Sequence, residues 1–139
     1  MIDKKEGETI MGKIAGVLLD TRKKTVSAVA IDDELETYYK LLGCSTIEIV
    51  PRKIGKYIVN IVCDEEGLLK SNPLTSAIDS LGNGMLVGSL FITGLADEEG
   101  DLTGLTEEEQ NYIISRCAVF PTRLHPEGLM MVTECNYNF

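Results

Sequence analysis

Histidine occurs once in this sequence, at His125, and the four cysteines never approach the short spacing that a structural zinc site uses. Cys44, Cys63, Cys117 and Cys135 stand far apart. That excludes a Cys-x-x-Cys redox or zinc motif and fits four small buried apolar residues in a reducing compartment. No apolar run approaches the roughly 18 residues that a membrane-spanning helix requires. The opening MIDKKEGETIMGK is charged and lacks the apolar stretch of a signal peptide. A soluble, cytoplasmic protein is expected, with no metal and no cofactor.

Basic residues are scarce after position 62. Residues 1–62 hold ten Lys and Arg against nine Asp and Glu, and residues 63–139 hold three against thirteen, which makes the second part −10 of a total of −9. Such acidity opposes direct nucleic-acid binding, because phosphate affinity needs a basic face. It suits a protein that meets basic partners or imitates a polyanion, and it also serves solubility. The acidic residues gather at Asp64-Glu65-Glu66, Asp97-Glu98-Glu99-Asp101 and Glu107-Glu108-Glu109, and the basic ones at Arg22-Lys23-Lys24 and Arg52-Lys53-Lys56.

At 139 residues and 44% apolar content the chain can bury an ordinary core as a single domain. Residues 1–11 read as a flexible N-terminal segment and 12–139 as one domain. KIAGVLLD (13–20) and TVSAVAI (25–31) read as a β-hairpin about the polar TRKK turn. DDELETYYKLLG (32–43) reads as a helix: Leu35, Tyr38, Tyr39 and Leu42 make one apolar stripe, Asp33 and Glu36 have capping-box spacing, and Gly43 suits the C-terminal cap. STIEIVPRKI (45–54) and KYIVNIVCD (56–64) read as a second hairpin turning at Gly55. Leu74, Ala77, Ile78 and Leu81 predict a short helix over 74–81 after the Asn72-Pro73 turn. MLVGSLFITG (85–94) predicts one buried strand. LTEEEQNYIISRC (105–117) predicts a helix with Thr106 and Glu109 as capping box. FPTRLHPEG reads as a loop, LMMVTEC (129–135) as a last strand, and the closing NYNF as either frayed or docked. The expected fold is α+β: a mainly antiparallel sheet of about five to six strands in ββαββ(α)βαβ order, backed by two or three helices.

The tetrapeptide Asp-Glu-Glu-Gly occurs twice, at 64–67 and 97–100. Asp first and Gly fourth is a type I turn signature, whereas a calcium loop needs oxygen ligands at alternating positions that Asp-Glu-Glu-Gly does not supply. Were a divalent cation bound, Asp64 with Glu66 or Asp97 with Asp101 would be the ligands. GNGMLVG (82–88) has the wrong glycine spacing and element order for a dinucleotide fingerprint. His125 lies between prolines with no nucleophile motif around it, so no catalytic constellation emerges. Arg52, Lys53 and Lys56, with Arg116 or Arg123, are the candidates for an anion site, provided that the two basic hairpin tips share one end of the sheet. Asp64, Glu65, Glu66, Asp97, Glu98, Glu99 and Asp101 are the candidate acidic partner surface.

The stretch from ETYYKLLGC to LVGSLFITG, with its D-E-E-G-L-L-K turn at 64–70, Asn72-Pro73 and V-G-x-L-F-I at 87–92, resembles small proteins of Firmicute bacteria, their phages and mobile elements that form a domain family of unknown function. The similarity spans about residues 13–105, and the family brings no catalytic residues. What the resemblance implies is a setting in which small accessory proteins bind and block host components. The expected function is therefore a non-enzymatic, anti-defence binding protein of the host cytoplasm. It would sequester a defence protein or its anionic nucleotide signal. An acidic DNA mimic blocking a nuclease or DNA-binding protein and a small enzyme are the alternatives. A homodimer is expected, either through a basic end meeting an acidic face, as the two-signed charge distribution allows, or through edge strands pairing across a two-fold axis.

Overall fold

The computed structural model describes residues 9–10 and 13–138. The elements run β1 (Thr9–Ile10), β2 (Lys13–Asp20), β3 (Thr25–Asp32), α1 (Leu35–Leu42), β4 (Ile47–Ile54), β5 (Tyr57–Asp64), a 3₁₀ turn at Gly67–Leu69, β6 (Thr75–Ile78), β7 (Gly84–Val87), β8 (Leu90–Thr93), α2 (Glu107–Ser115), β9 (Cys117–Phe120), β10 (Leu129–Val132) and β11 (Cys135–Tyr137). They form two sheets. The larger runs β3-β2-β8-β5-β4-β11, all antiparallel, with β1 beside β8 on the same edge of β2. The smaller runs β7-β6-β10-β9, where β6 and β10 pair in parallel through Ala77 and Val132.

Side chains alternate across a strand, so β2, β5 and β8 are apolar on both faces because both faces are covered. On one face Val17, Leu19, Ile54, Val59, Ile61, Leu90 and Ile92 meet Ala77, Met130 and Val132 of the smaller sheet and Ile113 of α2. On the other, Ile14, Val62 and Phe91 lie under Tyr38 and Leu42 of α1. The order is helix, sheet, then a second layer of sheet plus helix.

The two hairpins, both α-helices and the mainly antiparallel α+β character agree with the sequence, but the strand number and order do not. Residues 74–81 are not helical. Thr75–Ile78 is β6, with Ser76 and Ala77 fully buried and Leu81 87% exposed, so the expected apolar stripe does not exist. Asp79 ends the strand by accepting hydrogen bonds from the Leu81 and Asn83 amides at 2.9 and 2.8 Å, a local turn that outcompetes helix. The single strand expected at 85–94 breaks at Gly88, whose φ of +81° needs glycine. Its halves, β7 and β8, enter different sheets. At 117–120, read as helix end and loop, lies β9, which pairs antiparallel with β10.

Asp33 does not cap α1. The N-cap is Glu34, without a side-chain bond, and the Asp33 carboxylate instead accepts from the Tyr38 hydroxyl at 2.8 Å. The closing residues dock: β11 pairs with β4 from Cys135↔Ile54 to Tyr137↔Arg52. Of the leading segment 1–11, Thr9–Ile10 is a strand and the remainder lies outside the described residues.

Candidate functional site

Strand direction decides where the charges go. β5 and β8 are antiparallel neighbours, and each Asp-Glu-Glu-Gly follows the C-terminal end of its strand, so the two copies sit at opposite ends of the large sheet. In both, the aspartate shapes the turn: Asp64 Oδ1 accepts from the Glu66 amide, and Asp97 Oδ1 from the Glu99 and Asp101 amides, all at 2.9 Å. The first copy leads into the 3₁₀ turn, and its Asp64 carboxylate pairs with Lys70 at 2.8 Å. The second closes at Gly100, φ +89°, whose amide donates to the Asp97 carbonyl. The exposed carboxylates of Asp97, Glu99 and Asp101 lie within 4.8 Å of one another, the set among the described residues with metal-ligand spacing.

The acidic candidates therefore divide. Asp64, Glu65 and Glu66 stand where β2 ends. Asp97, Glu98, Glu99 and Asp101 stand where β2 begins. They are joined there by the first turn of α2, because Leu105 donates its amide to the Ala15 carbonyl and holds the helix start to that end.

The basic candidates divide as well. β2 and β4 run in opposite directions across the sheet, so the Arg22–Lys24 tip and the Arg52–Lys56 tip occupy opposite ends and make no shared anion patch. Lys56 and Arg116 do converge, on the Tyr112 ring, at 5.2 and 4.5 Å from its centre. Tyr57 meets Tyr112 edge-on at 5.1 Å. Arg116 is already engaged: it donates to the Tyr112 hydroxyl at 3.1 Å and faces Glu134 at 3.5 Å. Arg52 stacks on Tyr137 at 4.8 Å and donates to the Pro51 carbonyl. Lys53 is exposed on the opposite face of β4. Arg123 lies elsewhere, on the β9–β10 loop, with His125 at a cleft of about 560 Å³ floored by Ile78, Leu129 and Met131.

A smaller cleft, about 170 Å³, opens between the β2–β3 tip and the 64–75 loop. Arg22, Lys70, Asn72, Thr21 and Ser89 line it, and the Arg22 guanidinium has no partner among the described residues. The three stretches that carry the family resemblance meet here, through Asp64, Gly67, Lys70, Asn72, Pro73 and Gly88. Sequence reading missed this grouping because the contributing segments lie far apart in the chain. The αL Asn72, φ +57°, was its local signal.

The groups suited to nucleophilic or acid–base work are differently placed. Burial pushes the Cys63 and Cys117 thiols up to about 12 and Cys135 to about 11, and it raises Cys44 too, so all four stay protonated at neutral pH. His125 Nδ1 lies 3.2 Å from Glu127, and its amide donates to Thr122 Oγ1. Glu127 is held below the usual carboxylate range by its own backbone amide and by His125.

Fold and surface together define an α+β protein of two packed sheets in which each end of the large sheet carries one basic hairpin tip and one Asp-Glu-Glu-Gly turn. A family model described as a domain of unknown function, DUF3846, matches residues 14–118, and the chain belongs to that family. The match runs past residue 105 through α2 and the first half of β9, leaving β10 and β11 beyond it. No curated protein and no solved structure matches the chain.

Proposed function

We propose that the protein is a non-enzymatic binding protein of phage or mobile-element origin that acts in the host cytoplasm against defence, by occupying a basic surface of a defence protein. The observation that carries this reading is the gathering of exposed carboxylates from two separate segments at one end of the sheet. Asp97, Glu98, Glu99 and Asp101 come from the β8–α2 loop, and Glu107 and Glu108 from the first turn of α2. Lys13, the base nearest on β2, is already paired with Asp32 at 3.0 Å. These carboxylates steer basic surfaces toward them and repel nucleic acid, while Arg52 and Lys56 of the β4–β5 tip, at the same end, lie over Tyr137 and Tyr112. If the partner is a nuclease or DNA-binding protein, the same surface is a DNA mimic. The resemblance to small accessory proteins of phages supports the anti-defence setting.

The test is retention of a host protein on the immobilised full chain, compared with Asp97→Asn/Glu98→Gln/Glu99→Gln/Asp101→Asn. A partner should bind at low salt, weaken steeply as salt rises and fail to bind the neutralised variant. Equal retention by the variant, or indifference to salt, would refute the acidic end as the binding surface.

One observation favours a second reading, capture of an anionic nucleotide signal: the unpartnered Arg22 guanidinium at the 170 Å³ cleft beside Lys70. Calorimetry with nucleotide phosphates would then give heat that disappears in Arg22→Ala. No heat with the wild type would discard this reading.

A further inference from the structure

Among the described residues the outer edge of β3 is the longest strand edge left without a neighbour. β3 pairs with β2 along its entire length, Thr25↔Asp20 to Asp32↔Lys13, with no register shift, and nothing described pairs with its other side. The remaining edges are short or interrupted: β11 has three residues, β7 four with a bulged register, and β9 four followed by Pro121. Natural edges are usually blunted by a lysine, a proline or a bulge. TVSAVAI, from Thr25 to Ile31, has none of these, and its exposed Ser27, Ala28 and Ala30 are too small to hold a second strand away.

The flanks specify which strand fits. Arg22-Lys23-Lys24 precedes this uncharged stretch and Asp32-Asp33-Glu34 follows it. Run antiparallel to itself about a two-fold axis at Ala28, the strand brings Lys24, at the end of the turn before β3, level with Asp32 of the second copy at both ends. The rest of the basic turn lies beyond one end of each strand and Asp33-Glu34 beyond the other. Within each copy Lys24 also reaches the Glu127 carbonyl and Asp32 pairs with Lys13. A parallel arrangement would set like charges side by side, which opposes it. We infer that the protein forms a two-fold dimer by antiparallel pairing of β3 with β3 of a second copy, which joins the two large sheets into one and matches the basic flank of each copy to the acidic flank of the other. The edge strand supplies the main-chain pairing and the flanks fix direction and register. The carboxylates of the β8–α2 loop are not part of this edge, so the dimer stands or falls separately from the partner surface proposed above.

Two charge-reversed variants test it by sedimentation velocity over a concentration series. Arg22→Glu/Lys24→Glu and Asp32→Lys/Glu34→Lys each place like charges opposite one another in their own homodimer. Asp33 is spared because it holds the Tyr38 hydroxyl. Each variant alone should dimerise at least roughly tenfold more weakly than wild type, the scale of losing close charge pairs. An equimolar mixture should recover a heterodimer, because every reversed pair is again opposite in sign. Circular dichroism confirms that each variant is folded; should one not fold, added salt must loosen the wild-type dimer. A wild type that stays monomeric throughout would overturn the inference. So would a dimer that both variants and salt leave intact, or two folded variants that do not combine.

Discussion

Gly16 lies on the face of β2 beneath the Phe91 ring, and a Cβ there would meet Phe91 Cζ and the Ile92 carbonyl oxygen, each at 2.5 Å. The missing side chain makes room for the largest fully buried one in the core. Gly16→Ala should therefore destabilise by about 1–3 kcal/mol, the cost of overpacking a rigid interior, read as a lower urea midpoint. The thiols make a second prediction at this scale. An unfolded cysteine ionises near its ordinary value of 9.0, whereas Cys63 and Cys117 in the fold wait until about 12 and Cys135 until about 11. The folded state thus holds more protons between those values, and stability present below pH 9 is lost as pH rises toward 12. Tyr38, raised by burial and then by its bond to Asp33, acts in the same sense at higher pH. The urea midpoint should fall on going from pH 8 to pH 11, and less steeply in Cys117→Val, where one of the titrating thiols is gone. The burial of Cys63 and Cys135 was legible in the sequence, whereas Cys44 and Cys117, expected to be buried too, are half-buried. The role of Asp33 was not legible, because the Tyr38 hydroxyl and a capping amide compete for one carboxylate, and only the folded geometry chooses between them.

At the scale of the element, α2 is held at its start by reciprocal bonds: Glu109 donates its amide to Thr106 Oγ1 at 3.1 Å, and the Thr106 amide donates to the Glu109 carboxylate at 2.8 Å. Thr106→Ala removes the hydroxyl and should cost about 1 kcal/mol in urea unfolding. An unchanged midpoint would mean that the helix is fixed by Ile113 in the core alone. This cap was readable because every residue it uses lies within one turn, and so was the C-cap of α1, where Gly43 takes φ +67°. β6 was not readable. Leu74, Ala77 and Ile78 satisfy helix and strand spacing equally over so short a stretch, and what decides is the parallel partner Val132, more than fifty residues away. The separation of β7 from β8 has the same origin: Gly88 allows the break, but only the two sheets say that it occurs. β9 and β11, both short, likewise exist through their pairing with β10 and β4.

Across the whole molecule, the sequence exposes the sorting of charge along the chain but hides its sorting in space. The two Asp-Glu-Glu-Gly turns look equivalent in sequence, yet antiparallel neighbours send them to opposite ends. The basic tips separate for the same reason, which removes a patch shared by the Arg22–Lys24 and Arg52–Lys56 tips, and Lys56 meets Arg116 on Tyr112 instead. That cluster is a structural clasp between the β4–β5 tip and the end of α2: the Tyr112 hydroxyl also accepts from the Lys56 amide at 3.3 Å. Tyr112→Phe removes both hydroxyl bonds while keeping the ring, and should cost about 0.5–1.5 kcal/mol of stability without changing partner binding. Loss of binding in that variant would relocate the functional surface to the clasp. The acidic end, by contrast, has little internal work beyond shaping its own turn, and its carboxylates face solvent. The most direct measurement is the affinity of the full chain for its retained host partner as a function of salt, with wild type and the Asp97→Asn/Glu98→Gln/Glu99→Gln/Asp101→Asn variant side by side. A dissociation constant that climbs steeply with salt for wild type, and is already weak and nearly flat for the variant, is the predicted result. Superimposable curves for the two proteins would contradict the account.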